Sequence, residues 1–489
     1  MQGLNSKWTA GILVFFLFLL TGCQGNAVPG KEATIAAEEG IIVIGAGAAG
    51  LAASIEAAQA GSKVLLLEKL PMVGGSMLCS GGTIYAAQSP VQLREGITDS
   101  AEALADFWLQ EAQGPVDADL IRLVAQHSGE TIGWLEELGV EFAPPVPGGT
   151  CPIARAHRVV EEGGAGLAKI LARAAKDAGV EILLETRAQA LLTDDGGAVV
   201  GVEAVGEDGQ RISFGARAVV LATGGFDRNE ELLAQYSPSA LSIPINFGRV
   251  GNVGDGLLMA REVGADIVAV DGALGCRGVG EDMPYTHPIG ALGLTPTLCV
   301  NSRGERLTSE EVDCSCFYRA MQEDGDSTFY SIFSAVSYDP ALEEALEKGV
   351  AYRGNTLADL AATAGIDKEG LEATVAQYNM SVAQGQYAQF AGDIGSFLPT
   401  QEASSLLPID HGPFYALRLV PATRGTIGGP RINLKGQVLD REGEAIPGLY
   451  AAGEVANGQF FSPSCPATGT SLQYCLTMGR IAGRGAVGH

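Results

Sequence analysis

The chain of 489 residues carries 31 lysines and arginines against 57 aspartates and glutamates, a formal charge of −26. That length suits two domains, and 46% hydrophobic with 18% charged residues excludes a disordered or fibrous chain. The acidic balance excludes electrostatic nucleic-acid binding, and 67 glycines, against an ordinary share of roughly 7%, announce many tight turns.

Residues 1–23 have the pattern of an export signal. Lys7 precedes an apolar run from Ala10 to Leu20, shorter than the roughly 20 residues a membrane-spanning helix needs. The run ends in Leu20-Thr21-Gly22-Cys23, which resembles a bacterial lipobox with Cys23 as lipid acceptor and new N-terminus. The mature chain is therefore expected outside the cytoplasm, lipid-anchored to a bacterial membrane, with residues 24–39 as a tether. An uncleaved apolar anchor is the competing reading. Eight further cysteines form no CxxCH and no pair of CxxC motifs, and the five histidines lack metal-binding spacing, so no metal site is expected.

From Gly40 onward the pattern is that of a dinucleotide-binding unit. Ile41–Ile44 is a continuous apolar run, as a buried parallel strand requires. It enters Gly45-Ala46-Gly47-Ala48-Ala49-Gly50, then the alanine-rich helix pattern Leu51–Ala60 closed by Gly61, then a second strand, Val64–Leu67, ending in Glu68. Gly45 makes the turn, Gly47 lets backbone approach a pyrophosphate, Gly50 lets helix pack on strand, and Glu68 can accept ribose hydroxyls. Gly74-Gly75-Ser76-Met77 and Ser80-Gly81-Gly82-Thr83, close behind Glu68-Lys69, supply two more small-residue turns that distinguish a flavin dinucleotide from NAD. Ala218–Leu221 leads into Ala222-Thr223-Gly224-Gly225-Phe226, and Gly254-Asp255-Gly256 opens a helix pattern over Leu257–Gly264. Gly448–Val455 repeats the strand-then-glycine theme, and Thr470–Ala482 reads as a closing helix with Gly483 just past its end. Nucleotide-binding elements at both ends make the middle an insertion.

GAGAAG, GGSM, ATGGF, GDG, TIGG and GLYAAGE in this order resemble the flavoprotein family of fumarate reductase and succinate dehydrogenase. The likeness is to its soluble branch of flavocytochrome-type fumarate reductases, urocanate reductases and 3-ketosteroid dehydrogenases, and it runs from residue 40 to about 485. The resemblance implies an α/β fold: a doubly wound Rossmann-like FAD-binding domain (40–282 and 425–489) with an inserted α+β capping domain (283–424). It implies non-covalent FAD held by Gly45, Gly47, Ala49, Gly50, Glu68, Lys69, Gly75, Ser76, Met77, Gly81, Gly82, Thr223, Gly224, Asp255, Glu454, Ser471 and Leu472.

The substrate end departs from the fumarate reductases. Tyr285-Thr286-His287-Pro288 resembles their segment carrying a substrate-binding histidine, which makes Tyr285 and His287 candidates. Cys314 falls where their proton-donating arginine stands. Arg424-Gly425 precede Thr426-Ile427-Gly428-Gly429 where they carry a histidine, leaving Arg424 as an anion site. Ser464-Cys465-Pro466-Ala467-Thr468-Gly469 resembles a turn of the ketosteroid enzymes, with Cys465 in place of a tyrosine and the Gly469 amide left to polarise a carbonyl. Arg303, Arg306 and Arg319 are alternative proton donors, while Tyr318 and Tyr330 read as packing residues.

The expected function is hydride transfer from flavin to an activated C=C bond of a small molecule, an enone or enoate rather than fumarate, with electrons from an external redox protein or carrier. A dehydrogenase of ketosteroid type is the alternative enzyme. A flavin protein that passes electrons or binds ligand without turnover is the alternative of another class.

Overall fold

The computed structural model describes residues 33–35, 40–310, 312, 314–384 and 406–488. The export signal, Cys23 and most of the tether lie outside the described residues.

A six-stranded sheet organises the cofactor half, in the order Gln437–Leu439, Ala445–Ala451, Ala218–Leu221, Ile41–Ile44, Val64–Leu67, Glu181–Leu183. The last five are mutually parallel, and only Gln437–Leu439 runs against its neighbour. Every residue of Ile41–Ile44, Val64–Leu67 and Ala218–Leu221 is buried, which is why these strands read as unbroken apolar runs rather than alternating ones. Ala445–Ala451 comes from the far end of the chain and completes the sheet beside Ala218–Leu221.

The helix after the first strand spans Ala48–Gln59, and the closing helix spans Thr470–Val487. The latter runs past Gly483, which the sequence reading placed beyond its end. Gly483 instead lies where this helix crosses the first one: a Cβ there would sit 2.4 Å from the Ala53 carbonyl oxygen. Close helix contact, rather than helix termination, accounts for that glycine.

A second sheet is built around the long strand Phe414–Pro430. Its first half pairs with Phe329–Phe333 and Ala351–Gly354, and its second half with Ile267–Gly278. The boundary expected between residues 424 and 425 falls inside this strand, so the two halves of the molecule share it. Their apolar cores are distinct. Ile42, Leu66, Val220, Trp108 and Tyr474 belong to one, while Phe317, Met321, Phe333 and Leu417 belong to another. A four-stranded sheet contains Arg187–Thr193, Val199–Val205, Arg211–Gly215 and Ala33–Ile35, and a three-stranded sheet contains Thr83–Tyr85, Val146–Gly148 and Cys151–Arg158. Among the described residues no helix is long and apolar enough to cross a membrane.

Candidate functional site

The parallel strands end at a crevice, the position where open α/β sheets bind ligands. Gly45 turns the chain there with φ +102°, and a Cβ on it would strike the Ala222 carbonyl oxygen at 2.4 Å. Gly50 packs against that turn, since its Cβ would lie 1.8 Å from the Gly45 oxygen. Gly47 and Gly81 have open space where a side chain would project. The turn is stitched to the next one: the Gly74 N–H donates to the Ala46 carbonyl at 2.7 Å, and Gly75 opens the short helix Gly75–Cys79 that holds Ser76 and the buried Met77. Gly82 lies against Gly163 and Gly164.

Glu68 sits at the end of its strand with both carboxylate oxygens over the turn, accepting the Ala46 N–H at 2.8 Å and the Leu70 N–H at 2.9 Å. Lys69 and Asp255 pair with each other at 2.6 Å, and Arg187 joins Asp255 at 2.7 Å. Thr223 accepts the Gly256 N–H at 3.2 Å, and Gly224 follows beside Asn252. Ser471 and Leu472 occupy the first turn of the closing helix, whose Gly479 crosses Ala49. Two buried polar atoms in this region, Asn252 Nδ2 and Thr470 Oγ1, have no protein partner. A glycine-lined cradle, a helix N-terminus, a strand-end acid and unpartnered polar atoms suit FAD.

A second cluster meets this crevice through Arg424. The strand Phe414–Pro430 holds one extra residue here: Thr423 faces Gly275 and Thr426 faces Ala273, so Arg424 and Gly425 together oppose Leu274. Such a bulge re-aims a side chain. Arg424 is enclosed by protein yet keeps accessible surface, as a group lining an internal crevice does. Tyr285 and Glu454 share that property. Among the described residues Arg424 makes no hydrogen bond or ion pair, and its guanidinium lies 5.6 Å from the Tyr285 ring centre. Burial opposes its charge, but Cys276, Tyr285, Cys314 and Cys465 around it hold its pKa above the ordinary arginine value.

The Tyr285 hydroxyl donates to the Arg277 carbonyl at 2.7 Å and meets the Cys314 Sγ at 3.8 Å. Burial first, then the Cys276 and Cys314 thiols, push the phenol well above its usual range, so it stays protonated. Cys465 is buried with its Sγ directed to the Ala467 carbonyl at 3.1 Å. Gly469 caps the closing helix, its carbonyl taking the Gln473 N–H at 3.0 Å. Gly425 ties the two regions together, because a Cβ on it would lie 2.6 Å from Glu454 Oε1. That oxygen accepts the Thr426 N–H at 2.9 Å, and burial together with Asp227 pushes the Glu454 carboxyl up.

Tyr285, Cys314, Arg424 and Cys465 therefore come together. His287 does not join them. It caps the helix Pro288–Leu292 by accepting the Ile289 N–H at 3.2 Å and faces Glu344 at 3.7 Å, so its ring is turned to the cap surface. The alternative arginines are committed elsewhere: Arg303 to Glu305 and Asp324, Arg306 to Glu310, Arg319 to Glu111. Tyr318 lies over Gly275, and Tyr330 donates to the Ala364 carbonyl. Sequence reasoning missed Cys276, which lines the cluster from a strand whose pairing across 146 residues, to Ala422, leaves no local signal. It also missed Asp227, buried beside Glu454 with neither oxygen hydrogen-bonded, although an acid directly after the GGF turn was visible. No group of metal-binding side chains occurs among the described residues, and none of the eight described cysteines is in a disulfide.

Comparison with known proteins adds to this geometry. The family described as FAD binding domain (FAD_binding_2) matches residues 40–472. A probable fumarate reductase, Ifc3, of Shewanella frigidimarina is 30% identical over 455 residues, covering 92% of this chain and 75% of that protein. A urocanate reductase of Eggerthella lenta is 30% identical over 491 residues, covering 94% and 76%. Among solved structures, a 3-ketosteroid-delta4-(5alpha)-dehydrogenase from Rhodococcus jostii RHA1 in complex with 4-androstene-3,17-dione superposes with a TM-score of 0.72 at 28% identity, covering 95% of this chain and 99% of that one.

Proposed function

The chain belongs to the FAD binding domain family and is an FAD-dependent oxidoreductase acting on CH–CH bonds; on that premise we propose that it reduces the activated C=C bond of a small enone or one-carboxylate enoate. The observation that carries this reading is Arg424, an enclosed guanidinium with no carboxylate partner, beside a phenol and a thiol. A buried unpaired cation is costly, so this one is completed by an anionic or carbonyl oxygen of the substrate.

FAD, held by the glycine turns and Glu68, would supply the hydride. Arg424 holds one oxygen of the substrate, and the positive end of the helix beginning at Thr470, capped by Gly469, favours negative charge building on a conjugated carbonyl. Cys314, in contact with a Tyr285 whose own proton is committed to the Arg277 carbonyl, delivers the proton to the neighbouring carbon. Among the described residues the cluster offers Arg424 as its cation, which suits one negative charge and leaves the second carboxylate of fumarate without a partner. Reduced holoprotein should therefore pass its electrons to enones and one-carboxylate enoates, and Arg424→Gln should slow the charged substrates selectively. Relatives that are reductases support this direction, and the ketosteroid likeness keeps the reverse reaction as the second reading.

The same proposal places the protein outside the cytoplasm, lipid-anchored through Cys23 and supplied by an external electron donor, on the strength of Lys7, the Ala10–Leu20 run and the Leu20–Cys23 ending. Cys23→Ala should abolish acylation and move the protein from the membrane fraction to the soluble one. Unchanged membrane attachment would replace the lipid with an uncleaved anchor.

A further inference from the structure

The helix that begins with Cys314 runs to Asp324 and buries Phe317 and Met321 in the core of the second sheet. Opposite it stands the helix Ala101–Glu111, whose Leu104, Phe107 and Trp108 belong to the core of the cofactor half. The shared strand Phe414–Pro430 joins the two halves at one place, but their separate apolar cores leave the helices on either side of the crevice held by few contacts. An ion pair bridges them. Arg319 Nη1 meets Glu111 Oε2 at 2.6 Å, with both side chains largely shielded at 16% and 15% exposure. The other Glu111 oxygen takes a hydrogen bond from the Thr150 hydroxyl at 2.7 Å, which orients the carboxylate toward the arginine. Gln113 adds a looser contact to Glu323 at 3.5 Å.

The pair also stands near the reacting groups. Gly149, next to Thr150, lies against the turn that carries Cys465: a Cβ on it would be 3.0 Å from the Ala467 side chain and 3.1 Å from the Pro466 carbonyl oxygen. Arg319 lies five residues along the helix from Cys314. The contact thus links the thiol's own helix to the wall of the cofactor half that holds Cys465.

We propose that Glu111 and Arg319, with Thr150 orienting Glu111, form a latch that holds the Cys314 helix in place over the crevice, making them positioning residues for the reaction. The proposal rests on the reading that Cys314, Tyr285 and Arg424 form the reaction site. Breaking the latch lowers the fraction of molecules in the closed, competent form, and apparent substrate affinity falls by that fraction.

The test is made on FAD-loaded protein. Glu111→Gln and Arg319→Gln should each raise KM by about tenfold, within the range usual for coupling between linked elements, while kcat changes little. Amide exchange within residues 314–324 should speed up in both variants. The charge-swapped double variant Glu111→Arg/Arg319→Glu should restore slow exchange and low KM. If a glutamine variant fails to load FAD, Arg319→Lys, which keeps the charge and loses the guanidinium fork, is read by the same exchange measurement. Exchange unchanged in the single variants, or no rescue by the swap, would overturn the latch. Exchange is measured without turnover, so a chain that reduced no alkene would sink the reaction assignment and leave the latch to stand or fall separately.

Discussion

At the scale of single residues, chemistry depends on which side chains a strand irregularity brings together. Arg424 was legible as a candidate from its place before Thr426-Ile427-Gly428-Gly429. Its surroundings were not, because the extra residue that turns it is set by pairing with Ile267–Gly278, about 150 residues earlier. Cys314 was legible only as a replacement for an expected arginine, and His287 was misplaced because a histidine preceding a proline-initiated helix serves equally well as a cap. The proposed proton donor is separable from its neighbours by mutation. Cys314→Ala should lower kcat by roughly the 10²–10⁴-fold that general acid catalysis contributes, and Cys314→Ser should retain part of the rate. Tyr285→Phe, which removes the thiol's hydroxyl partner, should cost less. Steady-state rates with one enone decide it: Cys314→Ala at full speed would hand the proton to Tyr285.

At the scale of elements, buried runs and glycine turns carried most of the information. Ile41–Ile44, Val64–Leu67 and Ala218–Leu221 could be read because strands covered on both faces are uniformly apolar. Gly483 was misread because a glycine near a helix end looks the same whether it ends the helix or lets another helix approach. The three-stranded sheet behind Gly81-Gly82 was not legible, since Thr83–Tyr85 pairs far along the chain with Cys151–Arg158, itself half of a short hairpin with Val146–Gly148. It carries a titratable group: His157 is fully buried on the strand Cys151–Arg158, its Nε2 2.6 Å from the Ser89 hydroxyl and its Nδ1 2.7 Å from the Arg155 carbonyl. Burial lowers its pKa from 6.5 to about 4, against which the backbone contacts pull only weakly. Between those values the unfolded chain binds the proton and the folded one does not, so stability falls as pH drops from 6.5 towards 4, by roughly 3 kcal/mol. Urea denaturation at a series of pH values should show this slope in the wild type and a shallower one in His157→Asn. Equal slopes would mean that His157 is not the group responsible.

At the scale of the whole molecule, the order of motifs was enough to place FAD and the two-part cofactor domain, since each motif states a local backbone requirement. The sharing of Phe414–Pro430 between both halves was not, because a strand buried along almost its whole length gives no sign of which partner pairs with which end. That shared strand brings Arg424 to the thiol cluster, and the next residue, Gly425, packs closely on Glu454. The glycine turns make a cradle that suits FAD, and the proposed substrate cluster beside it holds Arg424, which has no hydrogen bond or ion pair among the described residues.

That single charge is the central claim, and flavin reoxidation measures it most directly. Holoprotein reduced anaerobically is mixed with a neutral enone, a one-carboxylate enoate or fumarate, and the return of oxidised flavin absorbance is followed. Desolvating a second, unpartnered carboxylate costs several kcal/mol, so fumarate should react at least about a hundredfold more slowly than the enoate. Arg424→Gln should slow the enoate and leave the enone nearly unchanged. Fumarate reacting as fast as the enoate, or Arg424→Gln slowing both substrates equally, would contradict the account.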